Sequence, residues 1–89
     1  MSWDYRIEPA ALADLRALGP SATKEVRRYL DQRIRGSDDP TAFGKLLRGE
    51  RKGFWRYRVR DWRILCRLEH QVLIVVVVQV GHRSTIYDG

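Results

Sequence analysis

Nine residues near the C-terminus, Val72–Val80, read VLIVVVVQV. The run is far short of the roughly 20 apolar residues that span a bilayer. It also lacks the alternation of a strand with one wet face, so it predicts an interior strand buried on both faces. Whatever else this chain does, it must supply neighbours on both sides of that strand.

The stretch before it, FWRYRVRDWRILCRLE (residues 54–69), supplies them by the opposite pattern. Trp55, Tyr57 and Val59 alternate with Arg56, Arg58 and Arg60, the period of a strand with two different faces. A turn at Arg60-Asp61 leads into a further strand, Trp62–Leu68. There Ile64, Cys66 and Leu68 share one face, and Arg63 and Arg67 the other. With a second turn at 69–71, the segments Phe54–Val59, Trp62–Leu68 and Val72–Val80 form an antiparallel meander ended by Gly81. Like charges side by side repel, so the arginine row needs something negative to offset it. Arg60 and Arg67 read as solvated, or as paired with Asp61 and Glu69.

The N-terminal half reads differently. Trp3, Tyr5 and Ile7 alternate as a short strand. Pro9 suits the first turn of a helix, with Leu12, Leu15 and Leu18 as its buried stripe and Gly19-Pro20 as its stop. Ser21 is the expected N-cap of a second helix. In that helix Val26, Leu30 and Ile34 recur every four residues, Tyr29 lies beside them, and the end falls near Gly36. Lys24, Arg27, Arg28, Asp31 and Arg35 take its outer face. Residues 36–53, rich in Gly, Ser, Asp and Pro, read as a loop tacked to the core by Leu46 and Leu47. The expected fold class is α+β: an N-terminal strand, a helical hairpin, then a three-strand meander, forming a single sheet with helices on one face. One domain over residues 1–89 is expected, with the arginines on the uncovered face.

Charge and cysteine usage narrow the function. A net charge of +6 suits an anionic partner: nucleic acid, an anionic membrane or an acidic protein. The single cysteine, Cys66, builds neither a disulfide framework nor a metal site; it reads as a small buried hydrophobe in a reducing compartment. The first ten residues have no signal-peptide pattern, and a cytoplasmic protein without a membrane role is expected. There is no HExxH, no phosphate-binding glycine loop, no dinucleotide fingerprint, and no Ser, His and Asp set that stands out as a triad. Two histidines without partner cysteines are too few for a closed zinc site, and paired carboxylates are lacking. No metal or cofactor is expected.

What remains is a constellation of Arg56, Arg58, Arg63, Arg83, His82 and Tyr87. If the last three strands are neighbours, these side chains meet in one concave patch. Guanidinium groups bind phosphate oxygens in bidentate fashion and would stabilise the extra charge of a pentavalent transition state. RNA brings its own nucleophile, the 2′-hydroxyl. His82 and Tyr87 are the titratable candidates for proton transfer, since arginine stays protonated. Lys45, Arg48, Arg51, Lys52 and Trp55 form the expected RNA-binding surround, with Trp55, Tyr57 and Trp62 able to stack on bases. Plainer readings stand beside these: His82 as a polar turn residue, Tyr87 as a docking residue, the aromatics as core, and the arginine row as a solvated face.

KLLRGERKGFWRYRVRDWRILCRLE, the apolar strand and VGHRSTIY, taken in order, resemble the RelE branch of the RelE/ParE toxin superfamily. The resemblance covers nearly the whole chain. It implies the toxin of a type II toxin–antitoxin pair, an mRNA interferase that enters the ribosomal A site and inhibits translation. Such enzymes cut message by metal-independent 2′-hydroxyl attack. It implies that Arg56 and Arg58 handle the scissile region where the family often has lysines, that Arg63 and Arg83 stabilise phosphate, that Tyr87 stacks on or helps activate the RNA, and that His82 shares proton transfer. It also implies a RelB-like antitoxin partner, the ribosome and mRNA as further partners, and a toxin–antitoxin complex that binds operator DNA. The ParE branch, which has the same fold but inhibits DNA gyrase without nuclease activity, is the alternative. The arginine cluster with Tyr87 favours the first.

Overall fold

The computed structural model describes residues 2–84 and 86. These residues build a five-stranded sheet in the order β1-β5-β4-β3-β2, from β1 (Asp4–Ile7), β2 (Lys45–Leu46), β3 (Trp55–Val59), β4 (Trp62–Glu69) and β5 (Ile74–His82). β1 runs parallel to β5, and every other neighbour is antiparallel. The apolar run is indeed interior, flanked by β1 and β4, and Val75, Val76 and Val77 are fully buried. It starts and ends two residues later than its composition predicts. Leu73, with φ of +56°, belongs to the preceding turn, and Gly81 lies inside the strand, opposite Arg63.

Two helices, α1 (Pro9–Leu18) and α2 (Pro20–Tyr29), cover one face. α1 packs on β5 and α2, and α2 reaches β3. Their joint is a single residue, Gly19, with φ of +102°, a conformation that favours glycine. Gly19 rather than Ser21 occupies the N-cap of α2, and Pro20 is its first residue. Past Tyr29 the helix widens into a π-turn, Leu30–Ile34, closed by the Arg35 N–H to the Leu30 carbonyl at 2.9 Å. Leu15, Val26, Leu30 and Ile34 from the helices meet Tyr57, Ile64, Cys66, Val75 and Val77 from the sheet in the main core. Cys66 is fully buried, and burial pushes its thiol above the ordinary range.

The loop before β3 holds more structure than expected. Pro40–Phe43 forms a 3-10 turn, Lys45–Leu46 adds the edge strand, and Gly49–Arg51 forms another 3-10 turn. Leu47 anchors the loop and is almost wholly buried, whereas Leu46 stays half exposed. The Tyr57 hydroxyl donates to the Pro40 carbonyl at 2.8 Å, tying the loop to the core. Among the described residues no helix is long and apolar enough to cross a membrane.

Candidate RNA-binding face

Strand register decides which side chains share the face away from the helices. Directly paired residues project to the same side. Arg56 lies opposite Leu65, Arg58 opposite Arg63, and Lys45 opposite Arg56. On the far side of β4, Arg63 lies opposite Gly81 and Leu65 opposite Gln79. Lys45, Arg56, Arg58 and Arg63 therefore stand on one helix-free face. Arg83 continues the pairing past the end of β5, its N–H donating to the Asp61 carbonyl at 2.7 Å. Two residues beyond Gly81, it falls on the same side.

This face is not the bare sheet expected from the sequence. Arg56 and Arg63 are only 7% and 4% exposed, and Leu65 and Val76 are buried although no helix covers them. The loop before β3 and the tail after β5 each sink one apolar side chain, Leu47 and Ile86, outside the cluster under the helices. Arg58 and Arg83 remain exposed.

Arg63 is engaged with its own hairpin. Its Nη1 donates to the carbonyls of Arg60 and Trp62 at 3.0 and 3.1 Å. The two oxygens offset a cation that faces Arg58 across the strand pair, where bare like charges would repel. They also brace a two-residue turn in which Arg60 adopts φ of +53°, a left-handed conformation costing roughly 1–2 kcal/mol for a residue with a Cβ. Arg60 itself leaves the arginine row: its Nε lies 3.4 Å from Glu25 on α2, not against Asp61. Asp61 instead meets Arg83, Nη1 to Oδ1 at 3.7 Å.

Acidic residues gather at the other end of the sheet. Arg67 pairs with Glu69 at 2.6 Å, as its sequence position suggests, and with Glu8 at 3.4 Å; Glu8 also meets Arg6. Arg67 lies four positions along β4 from Arg63, roughly 13 Å at strand rise.

The other predicted residues fall in several places. His82 pairs in register with Trp62, the side opposite the arginines. Its Nδ1 accepts from the Ser84 N–H at 3.3 Å and lies 2.9 Å from the Ser84 hydroxyl, so it serves its own turn. Trp55 is opposite Cys66 and packs against the core under the helices, as do Tyr57 and Trp62; Trp55 is not on the arginine face. Arg48 and Lys52 are exposed around the turn that precedes β3. Arg51 is half buried, with a buried Nη1 that has no hydrogen-bond partner among the described residues. Tyr87 lies outside the described residues. Among the described residues no group of His, Cys, Asp and Glu is arranged to hold a metal ion. Sequence reasoning missed Asp61 and Gly81. The signal for both was the register of β4 on β5: the turn at 70–73 and the shift at Leu65/Cys66 put 63 across from 81, and 61 reaches 83 just past the strand ends.

Residues 5–87 match the family described as the ParE toxin of type II toxin–antitoxin systems, parDE. Toxin RelG of Mycobacterium tuberculosis is 31% identical over 87 residues, 98% of each chain. The chain belongs to the RelE/ParE toxin superfamily. Among solved structures of this superfamily, the RelBE2 toxin–antitoxin complex of Mycobacterium tuberculosis superposes with a TM-score of 0.79 at 29% identity, covering 93% of this chain and 100% of the other. The intact RelBE complex of E. coli gives a TM-score of 0.68 at 22% identity, over 91% and 96% of the two chains, a likeness of fold. In this member two helices cover one side of a five-stranded sheet, and the arginines stand on the helix-free side.

Proposed function

We propose that this toxin is a metal-independent endoribonuclease that cuts messenger RNA in the ribosomal A site and so stops translation. The observation that carries the reading is the register placing Arg58 of β3, Arg63 of β4 and Arg83 after β5 at one end of one helix-free face. Exposed Arg58 and Arg83 would grip the scissile phosphodiester, and their fixed planar donors suit both its oxygens and the extra charge of a pentavalent intermediate. The 2′-oxygen of the message attacks the neighbouring phosphorus and the 5′-oxygen leaves. Arg56 and Arg63, nearly buried, shape and charge the floor. Lys45, Arg48, Arg51 and Lys52 extend the positive surface along the backbone of the message, where sequence-independent charge contacts dominate. Proton transfer falls to Tyr87; His82, tied to Ser84 on the side opposite the arginines, would take part only if its turn rearranges.

An antitoxin is the expected partner. The RelBE2 and RelBE structures are toxin–antitoxin complexes. An acidic segment would neutralise the arginine face and wrap the helical hairpin, whose outer side presents Lys24, Arg27 and Arg28. The resulting complex would bind operator DNA.

The test is a translation extract with cleavage mapped on translated and on naked message, and a gyrase supercoiling assay beside it. Cuts within codons only during translation support this reading. Inhibited supercoiling with intact message would replace it with the gyrase reading.

A further inference from the structure

Arg83 is held twice by one residue. Its backbone N–H donates to the Asp61 carbonyl at 2.7 Å, and its Nη1 lies 3.7 Å from the Asp61 carboxylate. Asp61 sits in the β3–β4 turn, which is braced from beneath by the Arg63 guanidinium on the Arg60 and Trp62 carbonyls. The chain of support runs outward. Arg63 is 4% exposed, whereas the side chains of Arg83 and Asp61 are 63% and 65% exposed. Among the described residues no other side chain is paired with the Arg83 guanidinium.

We propose that Asp61 is the positioning residue for Arg83: it holds Nη1 so that the remaining guanidinium donors face an RNA phosphate. The inference rests on the RNA-cutting reading. An acid beside a phosphate site is otherwise unfavourable, because its charge repels the substrate. Coulomb's law alone predicts that neutralising Asp61 tightens RNA binding. Positioning predicts that the same change slows the chemical step, since a mis-aimed donor loses transition-state contact. The two effects fall on different kinetic constants.

The experiment compares wild type, Asp61→Asn and Asp61→Glu in the translation extract, each also in an Arg83→Ala background. Asp61→Asn is expected to lower the maximal cutting rate about fivefold, the scale of an exposed ion pair. KM for the programmed ribosome should stay level or fall, and Asp61→Glu should recover part of the rate. Once Arg83 is alanine, Asp61→Asn should have no further effect on the maximal rate. An unchanged rate, a rise in KM alone, or losses that multiply in the double variant would overturn the proposal. A second measurement stands apart from activity: the NMR order parameter of the Arg83 Nε–H should fall in Asp61→Asn, and an unchanged value refutes the positioning role. If wild type leaves translated message intact, the functional reading fails alone, and the Nε measurement still decides on Asp61.

Discussion

The Asp14 carboxylate on α1 accepts a 3.0 Å hydrogen bond from the backbone N–H of Val80 in β5. The pairing of β1 with β5 ends at Ile7 and Val77, and Val80 lies past it. Near the same point β5 makes a register shift opposite Leu65 and Cys66. A helix side chain therefore takes the place of a strand neighbour where the sheet edge opens.

Asp14→Ala should leave that amide unbonded in a partly buried setting. Hydrogen bonds to charged groups contribute about 1.5–3 kcal/mol, so a fall of that order in unfolding free energy is expected. Urea denaturation of the two proteins checks it. An unchanged midpoint would mean that water replaces the carboxylate without loss.

The buried and exposed arginines should separate into two kinds of variant. Arg83→Ala touches an exposed side chain, so the fold survives while cutting of translated message falls by two or more orders of magnitude, about 3 kcal/mol for one transition-state contact. Arg63→Ala strips the donor from two carbonyls under the left-handed Arg60 and should cost about 2–3 kcal/mol of stability as well. Thermal melts run beside the cutting assay separate the two. Equal melting temperatures for both variants would deny Arg63 its bracing role.

Gly44 answers to the packing of two aromatic rings. A Cβ there would lie 3.0 Å from the Tyr57 ring and 3.3 Å from that of Trp55. Tyr57 is fully buried and tied by its hydroxyl to Pro40, so it has no room to yield. Gly44→Ala should destabilise the fold by about 1–3 kcal/mol, the usual cost of overpacking. A denaturation midpoint equal to wild type would show that the loop moves aside.

Legibility in the sequence followed the length and regularity of each pattern. The long alternation of β3 and β4 and the unbroken apolar run of β5 announced themselves. So did the helix-free face, because one helical hairpin suffices for one side of the sheet. Lys45–Leu46 did not, since two residues in a glycine-rich loop show no period. The π-turn had left a trace: Val26, Leu30 and Ile34 at strict four-residue spacing overrun a 3.6-residue turn by roughly 40° each step, and a wider turn absorbs the drift. Gly81 was misread as a stop. It is a strand residue paired with Arg63, a placement of glycine that needs the register to be seen. The burial of Arg56 and Arg63 was equally hidden, because alternation assigns a face but not what closes over it. Arg60 left the row for Glu25 because its left-handed turn conformation turns it toward α2.

Alkaline pH should weaken the fold through Cys66. Burial holds the thiol protonated well above its ordinary range in the folded chain, and burial pushes the Tyr57 phenol up likewise. In the unfolded chain the thiol loses its proton near pH 8.5. Above that pH the folded state binds more protons than the unfolded state, so stability must fall as pH rises; below it this contribution is fully present. For the thiol alone the loss is on the order of 1 kcal/mol at pH 9.5. Urea midpoints at pH 7.5 and 9.5 for wild type and Cys66→Ala provide the check. Wild type should lose more than the variant by about that amount, and the phenols, common to both proteins, should cancel. Parallel losses in the two would mean that the thiol ionises in place, and Cys66 would then react with alkylating reagents in the folded protein at pH 9.5.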